Sequence, residues 1–490
     1  MEQKPEHHGH HPATHRSHRW IYVLLGIVLC GGFAWLALLN SSERDWARYK
    51  QEAQSRGKPV EWAAFAAEPL PPEVENFLTT PLLRSAVRKG QGNGEFSYRL
   101  AVTRLIGLSV HMGNWQKGER SDLRAMHSAL GGSRAEDSNS DDLSAEAIIR
   151  ACEPEMEDLA ELRSASARRF ARFEFVYPDP ISADVPNFVF LREIAQLESI
   201  HGIVSLRRGD AEVAFGDVRV IHRLAEACLQ EPTLVSAMIG VALHGLALQC
   251  FWEGWIDERW TEAQFTEFQN RLERANLFAS TVRSIRWGEQ ASFTYLMEKM
   301  SNEELASVFG GAGGTGFRDR IVTLLSLHAP RSWRYQNLLF YNRFFDEMVF
   351  QNLDAGQMRI FPAKVEKGSS SLDRAFTMLR PSNLFATRAL PNLRKALTNM
   401  ARNQTAISQA VVVCALERFR RQRNRYPESL TELTPEFIAR LPHDVVTGRP
   451  FIYKRGENNR FTLYSVGWNE KDDGGRASDG HDDWVWPQRM

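Results

Sequence analysis

Three histidines have the residue type and the spacing that metal chemistry needs. His201, His222 and His244 fall on three successive predicted helices, and antiparallel packing of these helices would bring the side chains to the same height within about one turn. Neutral imidazoles with a nearby acid, here Glu198 or Glu226, form a typical zinc ligand set, and zinc would activate a water for hydrolysis. Histidines buried as ordinary core side chains are the alternative, which the residue type alone favours.

Other catalytic signatures are missing from the sequence. It contains no G-x-S-x-G elbow, no H-E-x-x-H, no Walker loop and no C-x-x-C. Gly311, Gly313 and Gly316 match the spacing G-x-G-x-x-G, but a predicted helix precedes them where a dinucleotide site needs a strand. We therefore interpret these glycines as a loop and expect a protein that is not an enzyme and holds no organic cofactor.

The histidines are carried by helices whose ends are marked in the sequence. Gly209 ends the first helix, the second runs over Ala211–Gln230, and Pro232 opens the third. Thr261 and Gln264 form a capping box that begins a fourth helix. Consecutive helix pairs with short connections predict a mainly α protein, built as a helical bundle or an α-solenoid.

The third of these helices is nearly long and apolar enough to cross a membrane. As a second span, Leu234–Trp252 would return the C-terminus to the cytoplasm. However, His244 and Gln249 interrupt the apolar run, and its flanks are Glu231 and Glu253, where spans usually carry Lys or Arg. We therefore predict a buried core helix.

A membrane anchor is predicted near the N-terminus. Trp20–Leu39 carries no charge and has about the 20 residues that cross a bilayer as a helix. Arg16 and Arg19 precede it and favour a cytoplasmic N-terminus, so the bulk of the chain is expected to face outward. A cleavable signal peptide is the alternative, but the run is longer than the usual apolar region of about 7–15 residues and no A-x-A site follows it.

Composition limits the classes of partner. The formal net charge is zero, which gives no indication of nucleic-acid binding. The tail 1–19 is rich in histidine, and we interpret it as solvated, with metal binding as the alternative.

Outside the anchor, Cys152, Cys228, Cys250 and Cys414 either form disulfides or remain buried thiols, and the sequence leaves both possibilities open.

The C-terminal part of the chain changes from helices to strands. A long helix is predicted from Asn392 to Arg425, followed by short helices that begin at Ser429 and at Thr434. Strands then follow at Phe451–Arg455 and Arg460–Val466, with the turn GENN between them. The pattern predicts a small α+β unit.

These residues, ALERFRRQRNRYPESLTELTPEFIARLP and then TGRPFIYKRGENNRFTLYSVGWNEKDDGG, resemble the globular part of the major pseudopilin of type II secretion. The anchor lies far upstream and lacks the prepilin cleavage motif, so the resemblance implies a pseudopilin-like module on another scaffold. Upstream, the chain is similar to uncharacterised single-span bacterial envelope proteins that end in the same module. This similarity implies the bacterial inner membrane, with the bulk of the chain in the periplasm.

The resemblance also implies calcium, which the corresponding pseudopilin loop binds through carboxylates and carbonyls. In this sequence the matching loop supplies hard oxygens from Asn469, Asp472, Asp473, Asp482 and Asp483. Asn469 stands where the family usually has an acid. A solvated acidic loop facing the arginine-rich end of the long helix is the alternative.

Five segments are expected along the chain. They are a cytoplasmic tail (1–19), a transmembrane helix (20–40), a juxtamembrane helix with a Pro-rich linker (41–90), a helical ectodomain (91–391) and a pseudopilin-like α+β module (392–490). The expected function is that of an envelope scaffold, which docks a protein partner through this module. A membrane-anchored, metal-dependent hydrolase that uses the helical histidines is the alternative.

Overall fold

The computed structural model describes residues 23, 24, 26, 41–64, 70–87, 100–131, 141–174, 177–182, 185–309, 317–377, 383–457, 459–476 and 483–488. The predicted tail 1–19 lies outside the described residues, and the predicted span Trp20–Leu39 lies outside them except for Val23, Leu24 and Gly26. The predicted glycine loop at 310–316 also lies outside them.

Helices make up most of the described chain, which confirms the expected mainly α class. The helices are α1 (41–55), α2 (Pro81–Val87), α3 (Leu100–Gly107), α4 (Leu123–Ala129), α5 (Asp141–Cys152), α6 (Met156–Ala165), α7 (Phe188–Arg208), α8 (Ala211–Gln230), α9 (Leu234–Ile256), α10 (Glu262–Leu272), α11 (Leu277–Ser284), α12 (Ser292–Lys299), α13 (Asn302–Phe309), α14 (Phe317–Leu327), α15 (Arg331–Phe345), α16 (Pro362–Thr377), α17 (Leu384–Ala389) and α18 (Leu393–Arg423). The π-helical segments are Ile285–Ala291 and Asp346–Phe350. The strands are β1 (Leu353–Asp354), β2 (Arg359–Ile360), β3 (Ile452–Arg455), β4 (Phe461–Ser465) and β5 (Trp484–Val485).

The chain divides into two compact units. The first comprises Met1–Pro59, Met297–Phe340 and Arg380–Arg388, and the second comprises Val60–Leu296, Tyr341–Leu379 and Ala389–Met490. Within the first unit, Trp46 Nε1 of α1 donates to Glu298 Oε1 at 2.7 Å, and Lys50 Nζ lies 3.1 Å from the same oxygen. The indole and the ammonium group thus fix α1 to the rest of its unit.

The predicted helix pairs form in the second unit, and their ends follow the signals in the sequence. Gly209 ends α7 with a positive φ of 90°, a backbone conformation that glycine adopts without strain. The Thr233 hydroxyl accepts from the amide of Ser236 at 3.2 Å and caps α9. The capping box at α10 is confirmed, because Thr261 and Gln264 each accept the other's backbone N–H.

Helix α9 is a core helix of the second unit. By length and composition it could cross a membrane, with a mean hydropathy of 1.8, but 67% of its most apolar window is buried in the protein. It packs against α7, α8 and α18. The approach to α8 is close because Gly240 has no side chain: a Cβ there would lie 2.7 Å from Leu229 Cγ.

The C-terminal part joins a sheet to the long helix α18. Strands β3, β4 and β5 are antiparallel in that order, with Tyr453 opposite Leu463 and Ser465 opposite Trp484. Strands β3 and β4 confirm the two predicted strands, whereas β5 was not predicted. The helix predicted from Thr434 is wrong: the chain turns there, since the amides of both Phe437 and Ile438 reach the carbonyl of Leu433 and both side chains are buried.

A buried carboxylate connects α18 to α9 and to the chain that leaves α18. Glu417 is fully buried and accepts from Trp255 Nε1 at 2.8 Å and from the hydroxyl of Tyr426. Its other oxygen lies 2.9 Å from Arg420 Nη2. Next to it, the buried ring of Trp486 lies 5.9 Å from Trp255 between centroids. Because a buried charge must be fully partnered, this hydrogen-bonded set fixes the three segments to one another.

Replacing Glu417 tests this connection. Glu417→Ala leaves the indole, the phenol and Arg420 without their shared acceptor, and we expect a loss of about 3 kcal/mol or more in the free energy of unfolding. Glu417→Gln keeps an acceptor oxygen and removes the charge, so its loss should be smaller, about 1–2 kcal/mol. Urea denaturation of both variants measures the difference.

Glu428→Ala serves as the control, because the Glu428 side chain is 69% exposed and substitutions there should change stability by less than about 0.5 kcal/mol. Equal losses in the Glu417 and Glu428 variants would contradict the role assigned to the buried carboxylate.

Candidate functional site

The structure separates one of the three predicted histidines from the other two. His201 Nδ1 lies 2.7 Å from Asp217 Oδ2, and Arg163 Nη1 donates to Asp217 Oδ1 at 2.9 Å. Asp217 and His201 are buried, as is Glu198 beside them, and burial together with the charge of Asp217 raises the pKa of Glu198 well above its ordinary value. His201, Asp217 and Arg163 therefore form a paired polar cluster inside the helical core, whereas neither carboxyl oxygen of Glu198 has a hydrogen-bond partner in the described structure.

The other two histidines lie together. The rings of His222 on α8 and His244 on α9 meet edge to face with centroids 5.0 Å apart. His201 does not join them, because it faces Asp217, and five residues along α8 turn His222 by about 140° away from Asp217. The expectation that all three histidines converge is therefore wrong. Side chains at the same height along packed helices meet only if they also lie on facing sides of those helices.

His222 and His244 line a cavity of about 400 Å³. Among the described residues that line it, the charged ones are mostly arginines, namely Arg169, Arg223, Arg271, Arg274 and Arg283. Glu226 is the acid among these residues, and it pairs with Arg223 at 2.6 Å. Arg271 is paired with Glu267 at 2.9 Å, outside the lining. The cavity therefore has a clear excess of positive charge, although the whole chain is neutral.

The charge of the cavity opposes a metal cation. Burial, then His244 and Arg271, lower the pKa of His222 well below its ordinary value, and burial lowers the pKa of His244 to about 4. The two imidazoles are therefore neutral at pH 7 and contribute hydrogen bonds rather than charge. Within the described part of the chain, no three His, Cys, Asp or Glu side chains form a group that could hold a metal ion.

Sequence reasoning missed the arginines of this cavity. They come from the segment after α6, from α8, from the end of α10 and the turn after it, and from α11, so that no short stretch of sequence contains more than two of them. Arg271 at the end of α10 and Arg274 in the turn after it, three positions apart, were the available signal. Only the packing of helices far apart in sequence brings the others together.

Hydrogen bonds connect the described residues of the predicted acidic loop, of which residues 477–482 lie outside the described part of the chain. The carboxylate of Asp483 is buried and accepts from the amides of Asp473 at 3.3 Å and Gly475 at 2.7 Å. Asp472 Oδ1 accepts from the hydroxyl of Tyr464 at 3.0 Å. Asn469 Nδ2 donates to Asp473 Oδ2 at 3.0 Å.

The donor set of this loop is chemically suited to calcium, but the described part of it is engaged in protein hydrogen bonds. Asn469, Asp472, Asp473 and Asp483 offer the hard oxygens that the ion prefers. Asp472, Asp473 and Asp483 do not form a metal-binding group with one another or with any other His, Cys, Asp or Glu in the described structure. Asp482, the fifth predicted ligand, lies outside the described residues. Calcium at this loop therefore stays a prediction.

A second, larger cavity of about 980 Å³ runs along the face of α9 that other helices leave uncovered. Val235, Met238 and Ile239 form part of its apolar wall, and Glu289 lies at its side. Burial raises the pKa of Glu289 to about 7, although the Tyr341 hydroxyl donates to it at 3.3 Å. Glu289 can therefore bind or release a proton near neutral pH beside an apolar surface.

The four cysteines outside the anchor are free and buried in the described structure. Burial raises the pKa of the Cys152 thiol to about 12, and burial also raises the pKa values of Cys228, Cys250 and Cys414. Since the thiolate is the reactive form, these side chains act as small apolar core residues.

Comparisons with protein-family models, with curated proteins and with solved structures found no match.

The carboxyl group of Glu231, between α8 and α9, gives a prediction for the effect of pH. Burial raises its pKa to about 7 from an ordinary 4.5, against the hydrogen bond from Tyr177 and the charge of Arg283. Between pH 4.5 and 7 the folded protein therefore keeps a proton that the unfolded chain loses. The stability that this difference contributes is fully present below pH 4.5 and is lost as the pH rises through 7. Glutamine does not titrate, so Glu231→Gln should not lose this stability. The difference between its free energy of unfolding and that of wild type should therefore grow by up to about 3 kcal/mol from pH 4.5 to pH 8.

Denaturation across this pH range measures the difference between the two proteins. Glu457→Gln is the matched control, because Glu457 is exposed and should leave the wild-type profile unchanged. A Glu231→Gln profile parallel to wild type would contradict the burial of an ionisable group there.

Proposed function

We propose that this chain is a single-span protein of the bacterial inner membrane, whose helical body is a periplasmic scaffold for a pseudopilin-like docking module. The proposal gives the protein a binding role rather than a catalytic one. The observation that carries it is the continuity of α18, which belongs both to the helical body and to the C-terminal α+β part.

Helix α18 is bonded to its neighbours along its length. In its first half, Gln404 Oε1 accepts from the amide of Leu277 on α11 at 2.8 Å. In its middle, Gln409 Nε2 donates to the carbonyl of Trp484 on β5 at 2.6 Å. Near its end, Arg418 Nη1 donates to the carbonyl of Phe437 at 3.0 Å. A module fixed in this way presents its surface in one orientation, which lowers the entropic cost of docking.

The exposed surface of the module is polar and suits a reversible contact in the envelope. Strand β3 ends in the exposed Lys454 and Arg455, and Arg455 forms an ion pair with Glu428 at the surface. Charged rims of this kind guide association and orientation more than they add affinity. We place the docking surface on this side of the module, around β3.

Site-specific photo-cross-linking in intact cells tests the docking role. A photoreactive residue at Lys454 or Glu457, both exposed on the module, should form a discrete cross-linked product with another envelope protein. The same residue at Glu212 or Arg259, exposed on the helical body, is the control and should not form that product. Absence of the product from both module positions, or equal yields from the body positions, would contradict the proposal.

Calcium is part of the proposal because of the resemblance of the acidic loop. If the loop binds the ion, adding calcium to the purified full chain should raise the thermal midpoint by several degrees, since a ligand stabilises the state that it binds. Magnesium should have a smaller effect, because it releases its water ligands reluctantly. In Asp473→Asn the calcium-dependent rise should be lost. A midpoint that does not respond to calcium in the wild-type chain would mean that the loop is a hydrogen-bonded turn only.

A further inference from the structure

The arginine-lined cavity holds more positive charge than its own acids neutralise. Arg274 and Arg283 form no ion pair with a described residue. Arg223 is nearly buried, with Nη1 on Glu226 at 2.6 Å, Nη2 on the carbonyl of Arg168 at 2.7 Å and Nε without a partner in the described structure. Guanidinium groups that converge without matching carboxylates are suited to a ligand with several anionic oxygens.

The two imidazoles are incompletely hydrogen-bonded. The side chains of His222 and His244 are 5% and 1% exposed, and the Nδ1 atom of each has no partner in the described part of the protein. A buried polar nitrogen without a partner is unfavourable, and an incoming ligand that supplies the missing hydrogen bond relieves it. A neutral imidazole offers one donor and one acceptor, which matches a hydroxyl group rather than an anion.

The positions of these groups give the cavity a direction. Arg169 and Arg274 are exposed and Arg271 and Arg283 are half-buried, whereas the two histidines are buried. The positive charge therefore lies towards the mouth and the neutral hydrogen-bonding groups lie deeper. A volume of about 400 Å³ is in the range of sites for small organic molecules, which extends from about 300 to 1,000 Å³.

We propose that this cavity binds a phosphate monoester that carries hydroxyl groups, with the phosphate on the arginines at the mouth and a hydroxyl on the paired imidazoles. A phosphate monoester brings two negative charges and three terminal oxygens, which suit several guanidinium groups better than a single carboxylate does. The site is independent of the docking function, because none of its residues belongs to the C-terminal module.

Isothermal titration calorimetry of the full chain in a neutral detergent tests the proposal. Glycerol 3-phosphate is the probe, and inorganic phosphate, sulfate and glycerol are the comparisons. We expect glycerol 3-phosphate to bind at least tenfold more tightly than inorganic phosphate or sulfate, because only the ester reaches both the arginines and the imidazoles. Equal, weak binding of all three anions would show non-specific association and would overturn the proposal, as would no binding of the ester.

The same chemistry occurs in a soluble ester and in a lipid headgroup, and a competition separates the two sources. Short-chain lysophosphatidic acid keeps both the phosphate monoester and a free hydroxyl group, so in the same detergent it displaces glycerol 3-phosphate if the cavity accepts a headgroup. If it does not displace the ester, the ligand is a soluble metabolite. Both results require that glycerol 3-phosphate binds in the first place.

Two charge-matched variants locate the binding. The double variant Arg274→Gln and Arg283→Gln removes two cavity arginines that have no ion-pair partner among the described residues, so the fold should persist and the affinity for glycerol 3-phosphate should fall at least tenfold. The control, Arg192→Gln and Arg259→Gln, removes the same charge from exposed positions outside the cavity and should bind as wild type does. Thermal melting without ligand verifies that both variants fold. Equal loss in the two variants would overturn the assignment.

Discussion

The burial of helix α9 is the constraint on which the second unit depends. A helix with a mean hydropathy of 1.8 leaves a large apolar surface in water unless other elements cover it. Helices α7, α8 and α18 cover most of it, and Gly240 allows α8 to approach closely. Because α18 also carries the C-terminal sheet, the same packing that hides α9 fixes the module to the helical body.

Burying this much helix surface also buries polar groups. Whether each of these groups has a hydrogen-bond partner within the protein decides whether it can bind a ligand. Asp217 is paired on both sides, by His201 and by Arg163, so the Asp217 carboxylate is satisfied without a ligand. Glu417 is likewise satisfied by the groups around it. His222 and His244, in contrast, retain a nitrogen without a partner in the described structure, and they border the cavity whose arginines exceed its acids. These two histidines, and not His201, therefore have both a nitrogen free to bind a ligand and a cavity that a ligand can enter.

The parts of this architecture that the sequence predicts are those encoded locally. Gly209 and the pair Thr261 and Gln264 mark helix ends through the backbone of a few neighbouring residues, and these ends form as predicted. Strand β5 could not be predicted, because it is two residues long and its partner β4 ends about 20 residues earlier in the chain. The segment after Thr434 has the sequence pattern of a helix, but the chain turns there, and the amides of Phe437 and Ile438 both donate to the carbonyl of Leu433.

The cavity could not be predicted from the sequence for a different reason, because its arginines lie on elements that only packing brings together. The three histidines were predicted to converge from their height along the helices alone, without regard to the helix face on which each lies.

Hydrogen exchange of the full chain, followed by mass spectrometry, tests most directly whether α9 is the core helix of this protein. The account predicts that the amides of α9 exchange as slowly as those of α7 and α8, and that this protection is the same in detergents of different chain length, since protein covers most of the helix. Faster exchange in α9 than in its neighbours would show that protein does not cover it, and protection that changes with the detergent would show that lipid-like molecules cover it. Either result would contradict the account.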